Sequence, residues 1–244
     1  MRAYELIKET FLRKAYIRIV HISWFATYGL VFLIPFPPET WNWGGFLFGW
    51  SGCMLALLLT AGIFGDDIAS GRICILIIKP LWPGELYIYR LMGLSLQALV
   101  HLLISGAIMF TLCSATGRGT IDHLGLWMLS SWLIFTTFSA LSTSISVVVR
   151  RGHNSMLLFA AIGFVYFVVM LMISLFPKHT ATEVVMAFLR YACPPVELLC
   201  KLALGQYSVI KSFGCVMHSL ALTILYSAVG IIILCKRQFV CARD

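Results

Sequence analysis

The chain runs again and again through apolar, nearly uncharged stretches: residues 17–34, 46–64, 86–112, 124–149, 156–176 and 215–235. Crossing a ~30 Å hydrocarbon layer takes about 20 residues of α-helix, and these stretches have that length. Lipid offers no water to a bare backbone. A spanning segment must therefore pair its own N–H and C=O groups, as a helix or within a closed barrel. Barrel strands alternate apolar and polar residues over about ten positions, and these stretches do not alternate. A soluble core has no use for so much apolar surface: 60% of the 244 residues are hydrophobic and 11% are charged. The expected fold class is an all-α polytopic membrane protein with six transmembrane helices, built as a single domain over residues 1–244.

Charge placement gives the expected orientation. A net charge of +8 would raise nucleic acid as a partner for a soluble domain. Here the basic residues sit at the ends of apolar runs, where membrane topology puts them, so no nucleic-acid role is expected. With six spans, thirteen of the eighteen Lys and Arg lie on the side of the N-terminus: Arg2, Lys8, Arg13, Lys14, Arg18, Arg72, Lys79, Arg90, Arg150, Arg151, Lys236, Arg237 and Arg243. The other five are Arg118, Lys178, Arg190, Lys201 and Lys211. The positive side faces the cytoplasm, which puts both termini inside.

A seventh span over residues 183–204 would send the basic C-terminus outside. Arg190, Pro194, Pro195, Glu197 and Lys201 interrupt that stretch, and each central charge costs ~2.5–3.5 kcal/mol on insertion scales. Residues 177–214 therefore read as an outer segment of two short helices meeting at Cys193-Pro194-Pro195, dipping into the membrane and returning. Cys193 and Cys200 are expected to be free, because two helical turns separate them by ~10 Å.

Residues 1–16 put Tyr4, Ile7 and Phe11 at helical spacing beside Lys8, Arg13 and Lys14, the pattern of a helix lying on the membrane surface. The long basic region and the lack of a small-residue cleavage site do not fit a signal peptide. The first span stops at Pro35-Phe36-Pro37-Pro38, and Trp41 and Trp43 suit an interfacial belt. Cys241-Ala-Arg-Asp lacks the aliphatic pair of a prenylation box.

Between the second and third spans lies FGDDIASGRICILIIKPLWPGELYIYR, residues 64–90, where most of the charge near the apolar core is gathered. It reads as a short cytoplasmic helix over residues 65–80, with Asp66 or Asp67 capping its start and Lys79-Pro80 ending it. Gly71 falls inside this helix, where it costs up to ~1 kcal/mol relative to Ala. Pro83 then opens the third span, with Glu85 at the positive end of that helix.

Enzyme chemistry finds no foothold. The chain has no Gly-x-x-x-x-Gly-Lys-Ser/Thr phosphate loop and no Gly-x-Ser-x-Gly elbow, and its six His show no metal-ligand spacing. No Asp or Glu lies at the middle of a span, where an ion- or proton-coupled transporter keeps one. Gln97 and His101, one turn apart on the third span, either hydrogen-bond a neighbouring helix or touch a transported molecule, the structural role being favoured. Ser139, Ser142, Thr143 and Ser146 read as packing residues that let helices approach closely.

The acidic pair, Gly71-Arg72, the apolar run, Lys79-Pro80 and Tyr87 to Arg90 at the head of a span together resemble the cytoplasmic loop of type-2 ABC exporter permeases. The basic N-terminal helix, six spans and broken outer helices also resemble that family in layout. The resemblance implies a permease subunit forming a translocation path, with a second permease copy or paralogue and two ABC ATP-binding subunits as partners. It implies that ATP and Mg sit on those subunits and that no cofactor or metal belongs to this chain. The loop helix would be the coupling helix, touching the ATPase through Asp66, Asp67, Gly71 and Arg72, while Gln97 and His101 would line the path. Membrane lipid is a further partner. The location implied is the plasma membrane, or the inner membrane of a Gram-negative source. A membrane scaffold or assembly protein without transport activity is the alternative, and an intramembrane enzyme is disfavoured.

Overall fold

The computed structural model describes residues 2–15, 52–73, 76, 82–116, 124–149, 153–175, 180–203 and 205–237. Among them the chain is helical and contains no strand. The helices are α1 (Arg2–Ala15), α2 (residues 52–60), α3 (Gly65–Ala69), α4 (Pro83–Thr116), α5 (Leu124–Val148), α6 (His153–Leu175), α7 (Thr180–Ala192), α8 (Val196–Ala203) and α9 (Val209–Lys236). Among the described residues, four stretches are long and apolar enough to cross a membrane: Gly52–Ala69, Pro83–Ile108, Leu124–Val148 and Val209–Lys236. α6 carries a shorter apolar stretch, His153–Val169. The architecture is that of an all-α, multi-pass membrane protein. The expected first span, the Trp41 and Trp43 belt, Lys79-Pro80, Arg118, Arg150-Arg151, Lys178 and the Cys241 tail lie outside the described residues.

α5 is the hub, touching α2 through Gly52 and Ser131 and packing on α3, α4, α6, α8 and α9. Nine of its sixteen buried residues are Ser or Thr, small enough to let neighbours close in on several sides. Contacts along α5 fix relative directions. Ser219 and Thr223 of α9 meet Thr137, Tyr226 meets Ser144, and Arg237 meets Val147, so α5 and α9 run the same way. α2 also runs with α5, since Gly52 lies against Ser131 and Thr60 bonds Ser142. α4 runs the opposite way: its start, Tyr87, bonds Ala140 and Ser144, while Gly106 lies against Met128. The last turns of α2, α5 and α9 and the first turns of α4 therefore share one end of the bundle.

α4 has 34 residues, and at ~1.5 Å per residue it is ~51 Å long against a ~30 Å hydrocarbon core. Its charged head, Glu85 to Arg90, belongs to that shared end. The apolar stretch 183–204 is divided: α7 stops at a bend over Cys193, Pro194 and Pro195, and α8 follows and packs on α5. Tyr191 meets His218 of α9 edge-on at 6.0 Å. Neither Cys193 nor Cys200 is in a disulfide, as expected.

Candidate functional site

The shared end of the bundle holds a buried knot of charges. Arg90 lies on the first turns of α4, where the stripe Leu86, Tyr87, Arg90, Leu94 faces the protein interior at helical spacing. Its guanidinium is fully buried and donates to three partners: Asp67 Oδ2 of α3 at 2.9 Å, Glu9 Oε1 of α1 at 3.1 Å and Thr10 Oγ1 of α1 at 2.9 Å. Its Nε has no hydrogen-bond partner. Arg72, just beyond α3, reaches the same Glu9 carboxylate at 2.7 Å from a half-exposed position. Two carboxylates thus neutralise two guanidiniums, and the knot joins α1, α3 and α4. α1 can come this close because Gly93, one turn above Arg90, presents no side chain. A Cβ there would stand 2.8 Å from Thr10 Cβ and 2.9 Å from the Ile7 carbonyl.

Beside the knot, the helical path from α2 to α3 breaks over residues 61–64. Non-helical backbone at membrane depth must be buried in protein and fully hydrogen-bonded. Gly62 takes φ +67°, and its N–H donates to Asn154 Oδ1 at 3.0 Å. Asn154, at the start of α6, donates in turn to the Thr60 and Ser142 carbonyls and to Ser142 Oγ. Ser146 Oγ accepts from the N–H groups of both Phe64 and Gly65 at 3.1 Å. The turn is thereby clamped between α5 and α6.

Several expectations from the sequence change at this site. Neither Asp66 nor Asp67 caps α3: its N-cap is Phe64, with no side-chain cap, and Ser146 serves the N–H groups there. Asp67 is 1% exposed and spent on Arg90, so its carboxylate does not reach a surface. Gly71 is not interior to one helix over residues 65–80. It has φ +70° directly after α3, whose C-cap is Ser70, and so it turns the chain in the left-handed conformation that glycine adopts without a Cβ penalty. Residues 72, 73 and 76 are helical again beyond it, and residues 74, 75 and 77–80 fall outside the described set. Ser70 and Gly71 are exposed, and nothing lies within 4 Å of where a Gly71 Cβ would be.

Gln97 and His101 are buried on the interior stripe of α4, away from the knot. The residues that sequence reasoning missed are Glu9, Thr10 and Asn154. One signal existed: an arginine inside the apolar third span demands a counter-ion, and Glu9 was an available acid on a helix read as basic. Saturated ion pairs of this kind do not suit acid–base chemistry. Among the described residues no group of three or more His, Cys, Asp or Glu could hold a metal. The arrangement can transmit force: moving α3 pulls on α1 and on the head of α4 through one buried side chain. No protein-family model matches the chain, and no curated protein matches its sequence.

Proposed function

We propose that this chain is the transmembrane permease subunit of an ATP-driven exporter of the type-2 ABC kind. The observation that carries the reading is the Arg90 knot, which ties an N-terminal amphipathic helix and a short helix between two long apolar stretches to the head of a third helix. That linkage is what a subunit needs if an outside motor is to tilt its spans. The exposed rim of Ser70, Gly71 and half-buried Arg72 is the surface offered to the motor. Six spans, with both termini inside, fit the shared bundle end that carries Arg72, Arg90, Lys236 and Arg237. In this reading separate subunits bind and hydrolyse ATP with Mg, a second permease completes the path, and the chain resides in the plasma membrane.

Purification of the tagged chain from its own cells in mild detergent tests the proposal. An ATP-binding subunit with a phosphate loop should co-elute near stoichiometry and hydrolyse ATP. Recovery of the chain with no ATP-binding protein, from membranes where it is abundant, would sink the exporter reading and leave a scaffold role.

A further inference from the structure

The interior stripe of α4 continues beyond the knot as a polar line. Gln97 and Ser105 are buried, eight residues apart, with His101 midway between them on the same face. Met92, Leu96, Leu99 and Leu103 cover the opposite, exposed face. Gln97 is only 3% exposed, and both its amide atoms lack a hydrogen-bond partner. The Ser105 hydroxyl has none either. Some hydroxyls elsewhere in the bundle satisfy themselves, as Thr60, Thr137 and Ser144 do by donating to the carbonyl four residues earlier. Those of Ser130, Ser139, Thr143 and Ser227 lack a partner as Ser105 does, so the doubly unpaired amide of Gln97 carries the distinction. A buried amide left dry costs ~1–3 kcal/mol, so a chain that keeps one holds something against it.

We propose that this line is a binding seam for an uncharged, hydrogen-bonding group: a hydroxyl or amide that can both donate and accept. Gln97 supplies one donor and one acceptor function, and Ser105 supplies a hydroxyl, with no Asp, Glu, Lys or Arg among α4 residues 91–116. A charged occupant would find no counter-ion there and would bear the desolvation penalty unpaired. Water and the polar head of a neutral amphiphile share this chemistry. As part of a translocation path the seam rests on the exporter reading; as a neutral polar site it does not.

The test uses the full chain in lipid nanodiscs with three variants, Gln97→Cys, Ser105→Cys and the apolar control Leu94→Cys. Modification by the small neutral reagent 2-hydroxyethyl methanethiosulfonate is followed peptide by peptide, so native cysteines do not interfere. A thiol reacts where solvent stabilises its thiolate, so both seam variants should react on the order of tenfold faster than Leu94→Cys. Ser105→Cys is nearly isosteric and keeps the test open if Gln97→Cys misfolds. Adding 1-oleoylglycerol separates the sources: slowed modification identifies an amphiphile, and unchanged fast modification identifies water. Seam rates no faster than the control overturn the inference, as does equal reactivity toward a permanently cationic methanethiosulfonate. No ATPase is needed for these readings. A reactive seam without an ATPase partner therefore defeats only the exporter reading, and an unreactive seam with one defeats only this inference.

Discussion

Removing the Asp67 carboxylate should be among the most damaging single changes at the bundle end. In the Asp67→Asn variant Arg90 stays fully buried and loses its 2.9 Å ion pair, keeping Glu9 and Thr10. Breaking a buried pair from one side costs ~3–5 kcal/mol. Glu9 is about one-third exposed and shared with Arg72, so it compensates in part, which puts the expected cost near ~3 kcal/mol. Arg72→Met breaks only the half-exposed pair and should cost ~0–1 kcal/mol. The paired variant Arg90→Met with Asp67→Leu removes both buried charges and should recover most of the loss, because apolar replacement of a buried ion pair is often neutral. Unfolding free energies in bicelles, by steric trapping, compare the parent chain with these three variants. A loss below ~1 kcal/mol for Asp67→Asn, in the range of an exposed pair, would refute the reasoning. So would a double variant no more stable than Asp67→Asn.

Gly93→Leu should pry α1 from α4 without touching a charge, because even a Cβ would meet Thr10 and Ile7 below 3 Å; protease cleavage within residues 2–15 should then accelerate while the apolar helices stay protected. Asn154→Leu should cost ~1–3 kcal/mol by stranding the Gly62 N–H and two carbonyls, read as a lower thermal midpoint in detergent; an unchanged midpoint would mean the clamp carries nothing. The Cys193 thiol is pushed up from its ordinary pKa by burial, so its thiolate fraction at neutral pH is small. Its iodoacetamide rate should climb at higher pH than that of a small free thiol, and coincident pH profiles would contradict the burial.

Helix class and most helix bounds were legible in the sequence, because an apolar run in lipid has few alternatives. Expected spans 86–112, 124–149 and 215–235 correspond to α4, α5 and α9; α4 and α9 run up to six residues further at their ends, and α5 stops one residue short. The division at Cys193-Pro194-Pro195 was also legible, since adjacent prolines remove backbone donors. Side-chain pairing was not. Glu9 and Arg90 are 81 residues apart, and no local pattern selects one acid among several. Asp67 read as a cap because helix starts favour Asp, but a buried guanidinium exerts the stronger pull on a nearby carboxylate. Gly71 read as an interior glycine because periodicity cannot distinguish one helix from two joined by a left-handed residue.

The central claim is that the exposed rim after α3 meets an ATP-binding subunit. A photo-reactive p-benzoylphenylalanine at Ser70, in cells expressing the full chain, tests it directly. The account predicts an ultraviolet-dependent adduct to a phosphate-loop ATPase, and none from the same group at exposed Met92 on α4. An adduct from Met92 but not Ser70, or no ATPase adduct from either, would contradict it.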